Sequence, residues 1–126
     1  MLKINDVDLN FDLMDAEIAE AAENALKLFA EKHGQIKRTK SLATEIRKEC
    51  DMVYEFFDNI FGVGAADQVF RGEKHYTKCC NAFAQVVKEI KIHNENLERQ
   101  NSDIKELIDE TNAVQSPKVK RFEAVK

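Results

Sequence analysis

Turn-forming residues are scarce in this sequence, and tryptophan is absent. The 126 residues include four glycines and one proline. A fold of many short strands needs frequent turns, so this composition argues against an all-β protein. Charged residues make up 33% of the chain, above the usual quarter, which is typical of long helices with solvated faces. Because the chain is long enough for one hydrophobic core and too short for two, we expect a single helical domain over residues 1–112.

Long apolar runs are missing as well. The N-terminus has no apolar core of the kind found in signal peptides, and no stretch approaches the roughly 18 apolar residues that a membrane span needs. The three cysteines are odd in number and two of them are adjacent, which does not fit a disulfide framework. We therefore expect reduced thiols, a cytoplasmic location and no membrane partner.

Basic residues are too few for a broad nucleic-acid-binding face. The net charge is −4, and residues 1–35 carry eight acidic and three basic side chains. Residues 113–126 have the opposite balance, with four basic side chains and one acidic side chain. Nucleic-acid binding needs a basic surface across the domain, so nucleic acid is not an expected partner. We expect residues 113–126 to form a flexible basic tail; contact of this tail with a phosphate backbone or an acidic protein surface is the alternative.

Alternating apolar residues predict a β-hairpin within residues 1–13. Asn5 and Asp6 separate two runs in which every second residue is apolar, a pattern that favours a tight turn between short strands. Two strands alone are marginally stable in water, so the hairpin is expected to pack on helices or to pair with a partner.

Three uninterrupted helical stripes follow the hairpin. They predict three main helices, near residues 15–33, 41–61 and 77–112. Asp15 and Ser41 are the expected N-caps, and Gly34 is the expected end of the first helix. The second stripe is the most regular and consists of Leu42, Ile46, Cys50, Val53, Phe57 and Ile60. The predicted fold is mainly α: a three-helix bundle with a short N-terminal β-hairpin and a long projecting C-terminal helix.

Glycines interrupt the helical pattern between the second and the last main helix. Gly62 and Gly64 are expected to end the second helix, and residues 65–70 are expected to form a short helix that ends at Gly72.

The last predicted helix is long enough to extend beyond a small core. From Thr77 to Asn112 it contains neither glycine nor proline, which corresponds to roughly 50 Å of helix. An apolar line begins at Phe83, Val87 and Ile90, and it continues through the candidate partner-binding residues Asn94, Leu97, Asn101, Ile104 and Ile108. Asparagine in a helix–helix seam weakens packing while fixing register, so a second copy of the chain is an expected partner. A solvated helix end with chance apolar residues is an equal alternative.

No constellation of residues predicts catalysis. His75 and Cys79 lie four residues apart and share a helix face, but structural zinc needs four ligands and the other histidines and cysteines are scattered. Gly62 and Gly64 have no preceding strand and no following Gly-Lys-Ser/Thr, so they do not form a recognised phosphate loop. No Gly-x-Ser-x-Gly nucleophile motif is present. We expect no catalytic residues, no cofactor and no metal site, and the chain is predicted not to be an enzyme.

The middle of the chain resembles small tail-associated proteins of tailed bacteriophages and prophages. Residues 54–70, with the sequence Tyr-Glu-Phe-Phe-Asp-Asn-Ile-Phe-Gly-Val-Gly-Ala-Ala-Asp-Gln-Val-Phe, are the specific part of this similarity. The Ile-Asn-x-Val start at Ile4, the acidic first helix, the cysteines before Phe83 and the Ser116-Pro117 step before a basic end are similar as well.

The resemblance implies a role in tail morphogenesis and no active residues. Such proteins are minor tail proteins or tail assembly chaperones, so the expected partners are the tape-measure or tail-tube protein and further copies of this chain. The expected location is the host bacterial cytoplasm, with the virion as the alternative. The competing hypothesis is a regulatory or host-interacting phage protein that binds a host protein or DNA. A gene between the tail-tube and tape-measure genes would favour the first hypothesis, and a gene in an early operon would favour the second.

Overall fold

The structure, a computed structural model, describes the backbone of residues 2–114 and the side chains of residues 2–111. In this part of the chain two strands precede four helices, namely β1 (Leu2–Ile4), β2 (Val7–Leu9), α1 (Ala16–Gln35), α2 (Leu42–Phe61), α3 (Ala65–Phe70) and α4 (Tyr76–Val114). The predicted mainly helical fold with an N-terminal hairpin and a long last helix is confirmed. Residues 115–126, which make up most of the predicted basic tail, lie outside the described residues.

The chain divides into two compact units, Met1–Ile90 and Lys91–Lys126. The first unit holds the whole hydrophobic core, with contributions from the hairpin, from α1 to α3 and from the first part of α4. The second unit contains the C-terminal part of α4.

The hairpin forms because its turn residues tolerate a left-handed backbone. Strands β1 and β2 pair antiparallel, with Leu2 opposite Leu9. Asn5 and Asp6 connect them with φ angles of 50° and 66°. Two successive positive φ angles are the mark of a type I′ turn, whose twist matches that of the strands, and asparagine and aspartate accept this conformation more readily than most residues.

The hairpin is fixed to the helical part of the first unit by both apolar and polar contacts. Ile4 and Leu9 are buried in the core. The Asn5 side chain donates a hydrogen bond from Nδ2 to the backbone oxygen of Val69 in α3, at 3.2 Å. The predicted packing of the hairpin on helices is therefore what the structure shows.

Helix α1 begins as predicted but continues past its predicted end. Asp15 caps it by accepting a hydrogen bond from the backbone N–H of Glu17 at 2.9 Å. The expected termination at Gly34 is wrong, because Gly34 keeps a helical backbone and extended backbone starts only at Ile36. The preceding residue, His33, contacts α2 through Glu49, whose Oε1 lies 3.3 Å from His33 Nε2. The last turn of α1 is thus held against α2.

Helix α2 supplies the centre of the core. Ser41 caps it by accepting from the backbone N–H of Thr44 at 3.3 Å, and the side chains that it buries fully or nearly fully are Cys50, Val53, Phe56 and Phe57. These confirm the predicted stripe in the middle of the helix. Leu42 is an exception, since 76% of it is exposed. Its place in the first turn leaves it beyond the reach of the core.

Two glycines make the corner between α2 and α3. Gly62 and Gly64 have φ angles of 106° and 92°, a region that side chains make costly. The Asp58 side chain accepts a hydrogen bond from the backbone N–H of Ala66 at 2.9 Å. The predicted stop and the predicted short helix are both confirmed.

The first part of α4 buries smaller side chains than the sequence predicted. Those that face the core are Cys79, Ala82 and Val86. Phe83 lies at the edge of the core and stacks on Phe29, with ring centroids 4.3 Å apart. Of the two adjacent valines, Val86 is buried in the core, and Val87 of the predicted apolar line is partly exposed. The large Phe83 ring packs beside these small side chains, against Phe29 and Phe56.

Candidate functional site

The five predicted partner-binding residues lie along one side of α4 in the second unit, and all five are exposed. We call the surface formed by these residues and Leu107 the distal face; it consists of Asn94, Leu97, Asn101, Ile104, Leu107 and Ile108. Its apolar members are large and open to solvent: Leu97 is 55% exposed, Ile104 55%, Leu107 62% and Ile108 54%. Spacings of three, four and seven residues put them on neighbouring turns of the same side of a helix.

Leu107 is the member that the sequence reasoning missed. The predicted line consisted of one series of positions spaced seven apart, which includes 97 and 104, and a second series four positions later, which includes 101 and 108. Position 107 belongs to neither series. A count of every apolar residue three or four positions from Ile104 would have found it. Its inclusion widens the apolar strip beyond the two-residue seam of a coiled coil.

The rest of the second unit's helix surface is acidic. Residues 91–111 carry three basic and six acidic side chains, a net charge of −3 with histidine neutral. Glu98 and Lys105 directly follow Leu97 and Ile104 in sequence, so they border the distal face. An apolar strip with charged borders is typical of an amphipathic helix.

A second exposed apolar surface lies in the first unit, where the N-terminal turns of α2 and α4 meet. A groove of about 230 Å³ is lined by Arg38, Leu42, Glu45, Ile46, Glu49 and Tyr76. Its two carboxylates are already engaged, since Glu45 accepts from the backbone N–H of Thr39 and Glu49 pairs with His33. The groove is shallow and offers mainly side-chain carbon to a ligand.

The polar residues around the start of α4 make structural contacts within the first unit. Tyr54 donates a hydrogen bond to the backbone oxygen of Glu73 at 2.7 Å, and Lys74 lies 3.6 Å above the Tyr54 ring while pairing with Asp51 at 2.7 Å. Lys78 pairs with the Glu73 carboxylate at 2.9 Å. These contacts fix the link between α3 and α4 on α2.

The ionisable groups in the core are held in their neutral forms. Cys50 and Cys79 are buried and hydrogen-bonded to each other, and burial is the main cause that raises the pKa of both thiols, that of Cys79 to about 12. Burial likewise raises the pKa of Tyr54 to about 12. A thiol with a raised pKa is a poor nucleophile at neutral pH.

The His75–Cys79 pair, considered above as a fragment of a metal site, has a structural explanation. His75 Nδ1 accepts a hydrogen bond from the backbone N–H of Lys78 at 3.2 Å, so the ring caps the start of α4. The Cys79 side chain faces the core. Within residues 2–111, no group of three or more histidine, cysteine, aspartate or glutamate side chains is placed to hold a metal ion.

Comparison with known proteins identifies a family. The chain belongs to the family of unknown function DUF6673, whose profile matches residues 5–121. No curated protein and no solved structure matches the chain. In the part of the chain that the structure describes, none of the helices is both long enough and apolar enough to cross a membrane.

Proposed function

We propose that this chain is a non-enzymatic morphogenesis protein of phage or prophage tails. It acts in the host bacterial cytoplasm as a tail assembly chaperone or a minor tail component. Its distal face holds a helical segment of the tape-measure or tail-tube protein. The similarity of residues 54–70 to tail-associated proteins supports the biological setting. The competing regulatory hypothesis depends on the basic tail, most of which lies outside the described residues.

The exposure of four large apolar side chains on the distal face is the observation that carries the proposal. Burying a leucine or isoleucine completely is worth about 1.5–3 kcal/mol, and roughly half of each of these side chains is still exposed. Covering all four would therefore contribute about 4 kcal/mol. Most of the stability of a helix in a protein comes from packing of its apolar face, so a partner would stabilise the helix as well.

The size of this contribution suits a chaperone. Association costs several kcal/mol in lost translational and rotational freedom and in side-chain ordering, so one copy binds weakly. Many copies along one long partner would bind firmly together and still release one by one. The acidic surroundings of the face favour a partner helix with lysine or arginine beside its apolar strip.

The first unit supports binding rather than catalysis. The Cys50 and Cys79 thiols are neutral and buried. The charged residues Glu73 and Lys78, which line a groove beside the hairpin turn, pair with each other. Catalysis by acid, base or nucleophile needs such groups to be free at a substrate.

Peptide binding by full-length chain tests the proposal. Overlapping peptides from the tape-measure and tail-tube proteins encoded beside this gene would be titrated into the chain by isothermal calorimetry. We expect binding by helical, apolar and basic peptides, weakened at least about tenfold in the Ile104→Asp variant because a charge would be placed in the apolar contact.

A matched control is available in the same turn of the helix. Ser102 is exposed and lies on the side of α4 away from Ile104, so Ser102→Asp adds the same charge outside the face and should leave the affinity unchanged. The proposal is wrong if no peptide from either protein binds, or if the two variants weaken binding equally.

A further inference from the structure

The distal face is also self-complementary when one copy of it is turned end to end against another. We propose that, before a tail partner binds, two copies of the chain pair through their distal faces with the helices antiparallel. The inference rests on the proposed function only in that the tail partner would later take the place of the second copy.

In this orientation two of the apolar residues, Leu97 and Ile108, face each other across the pair. If the helices are antiparallel about a two-fold axis near residues 101–104, Leu97 of each copy lies opposite Ile108 of the other. Ile104 lies opposite Asn101, and Asn94 lies opposite Thr111. The contact therefore has two apolar layers, a polar layer outside each of them, and two central layers in which Ile104 faces Asn101. The contact uses residues 94–111 of each copy, all within the second unit.

The bordering charges favour the antiparallel over the parallel orientation. In an antiparallel coiled coil, a residue that borders the seam faces a residue that borders the seam on the same side of the other helix, near that helix's opposite end. Glu98 of each copy therefore lies near Lys105 of the other, which gives two opposite-charge contacts. In a parallel pair the same two residues would face positions 93 and 100, a histidine and a glutamine.

The charge distribution along the helix points the same way. Residues 103–110 carry four acidic side chains and one basic, a net of −3, whereas residues 91–99 carry two of each and are neutral with histidine uncharged. A parallel pair would place the two acidic segments side by side. An antiparallel pair places each acidic segment beside a neutral one, which lowers the repulsion.

The asparagines keep the pair weak. In each of the two central layers, Asn101 of one copy faces Ile104 of the other and loses part of its contact with water. A polar side chain in a helix–helix seam lowers stability. A dimer that dissociates readily covers the distal face against non-specific association, and its dissociation leaves the face available to a tail partner.

Charge-reversal variants of full-length chain test the orientation. Sedimentation equilibrium over tens to hundreds of micromolar should show a monomer–dimer equilibrium for the parent. Glu98→Lys and Lys105→Glu should each weaken the dimer by about tenfold, because each replaces two attractive contacts by two repulsive ones. The double variant restores both contacts and should return to parental affinity. An equimolar mixture of the two single variants should form a heterodimer.

Glu95→Lys is the matched control, since it reverses a charge on the side of α4 away from the distal face and should not change the dimer. Circular dichroism shows whether each variant keeps its helix. A parent that is monomeric throughout, or a double variant as weak as the single ones, overturns the inference. A monomeric chain that binds tail peptides would leave the proposed function standing, and a dimeric chain that binds none would overturn the proposed function alone.

Discussion

Replacing Phe57 by alanine should be among the most damaging single changes in the first unit. Phe57 is 0% exposed. Its ring lies within 5.2 Å of the Phe70 ring, 5.6 Å of Phe61 and 6.0 Å of Phe56, measured between centroids. It therefore contacts aromatic residues of both α2 and α3, and its loss would open a cavity between them.

The expected cost can be estimated from these contacts. Emptying a buried phenylalanine site costs about 3–5 kcal/mol, and the three aromatic neighbours place Phe57 in the upper half of this range, at about 4–5 kcal/mol. For a unit of this size, 1 kcal/mol lowers the melting temperature by about 4 °C. We expect Phe57→Ala to melt about 15–20 °C below the parent.

Tyrosine fluorescence is a suitable assay for this prediction. The chain has no tryptophan and two tyrosines, Tyr54 and Tyr76, which both lie in the first unit. Tyr54 stacks on Phe70, with centroids 5.1 Å apart, so its signal reports on the core next to the substituted site. Urea unfolding followed by this signal gives the free energy of unfolding of the first unit.

Phe61→Ala is the matched control. Phe61 has the same side chain and contacts Phe57, but it is only partly buried, so its removal should cost about half as much. The reasoning is refuted if Phe57→Ala melts within a few degrees of the parent, or if it costs no more than Phe61→Ala. Either result would mean that the Phe57 side of α2 faces a partner and not the core.

Three further predictions concern the backbone and the titrating groups of the first unit. Gly34→Ala should raise the free energy of unfolding by about 0.5–1 kcal/mol, whereas Gly62→Ala should lower it by about 1–3 kcal/mol. An added Cβ meets no atom within 4 Å at either site, but of the two only Gly62 has a positive φ. Urea midpoints that shift in the same direction for both variants would contradict this explanation. Because the pKa of Tyr54 is about 12 in the folded chain and about 10 when unfolded, stability should fall as the pH rises between these values; Tyr54→Phe should show a shallower fall in the same titration. At mildly alkaline pH, iodoacetamide should label Cys79 only after urea is added, since the pKa of its thiol is about 12. Rapid labelling of Cys79 in the folded chain, detected by mass spectrometry, would show that this thiol is not buried.

Local signals in the sequence predicted most of the elements. Ser41 and Asp15 cap helices because a short polar side chain before an apolar stripe satisfies the first free N–H groups. Asn5 and Asp6 make the hairpin turn for an equally local reason. Each of these features depends on a few neighbouring residues, so it can be predicted without knowledge of the tertiary structure.

The misplaced features depend on contacts between distant parts of the chain. Gly34 stays helical in a last turn that contacts α2, and the sequence does not show that contact. In α4, Ala82 and Val86 are buried, whereas Phe83 is only partly buried. A hydrophobicity pattern favours the large Phe83 and cannot distinguish Val86 from Val87, because the sequence does not show how much space each position has.

For the candidate partner-binding residues, the sequence predicted exposure, and their role as a site stays a prediction. The exposure of Leu97, Ile104 and Ile108 agrees with the uncovered seam expected from the length of the last helix. Whether this seam binds a partner stays a prediction, because an exposed apolar strip shows what can be covered and does not identify the protein that covers it.

The hydrogen bond between Asn5 and Val69 links the order of synthesis to the order of folding. Its two partners are 64 residues apart, so the hairpin cannot make this contact until α3 has been synthesised. At about 5–20 residues per second, the hairpin waits roughly 3–13 seconds in the growing chain. During that time the Asn5 side chain lacks its partner on α3. A nascent-chain binding factor would therefore have several seconds in which to contact the hairpin before α3 does.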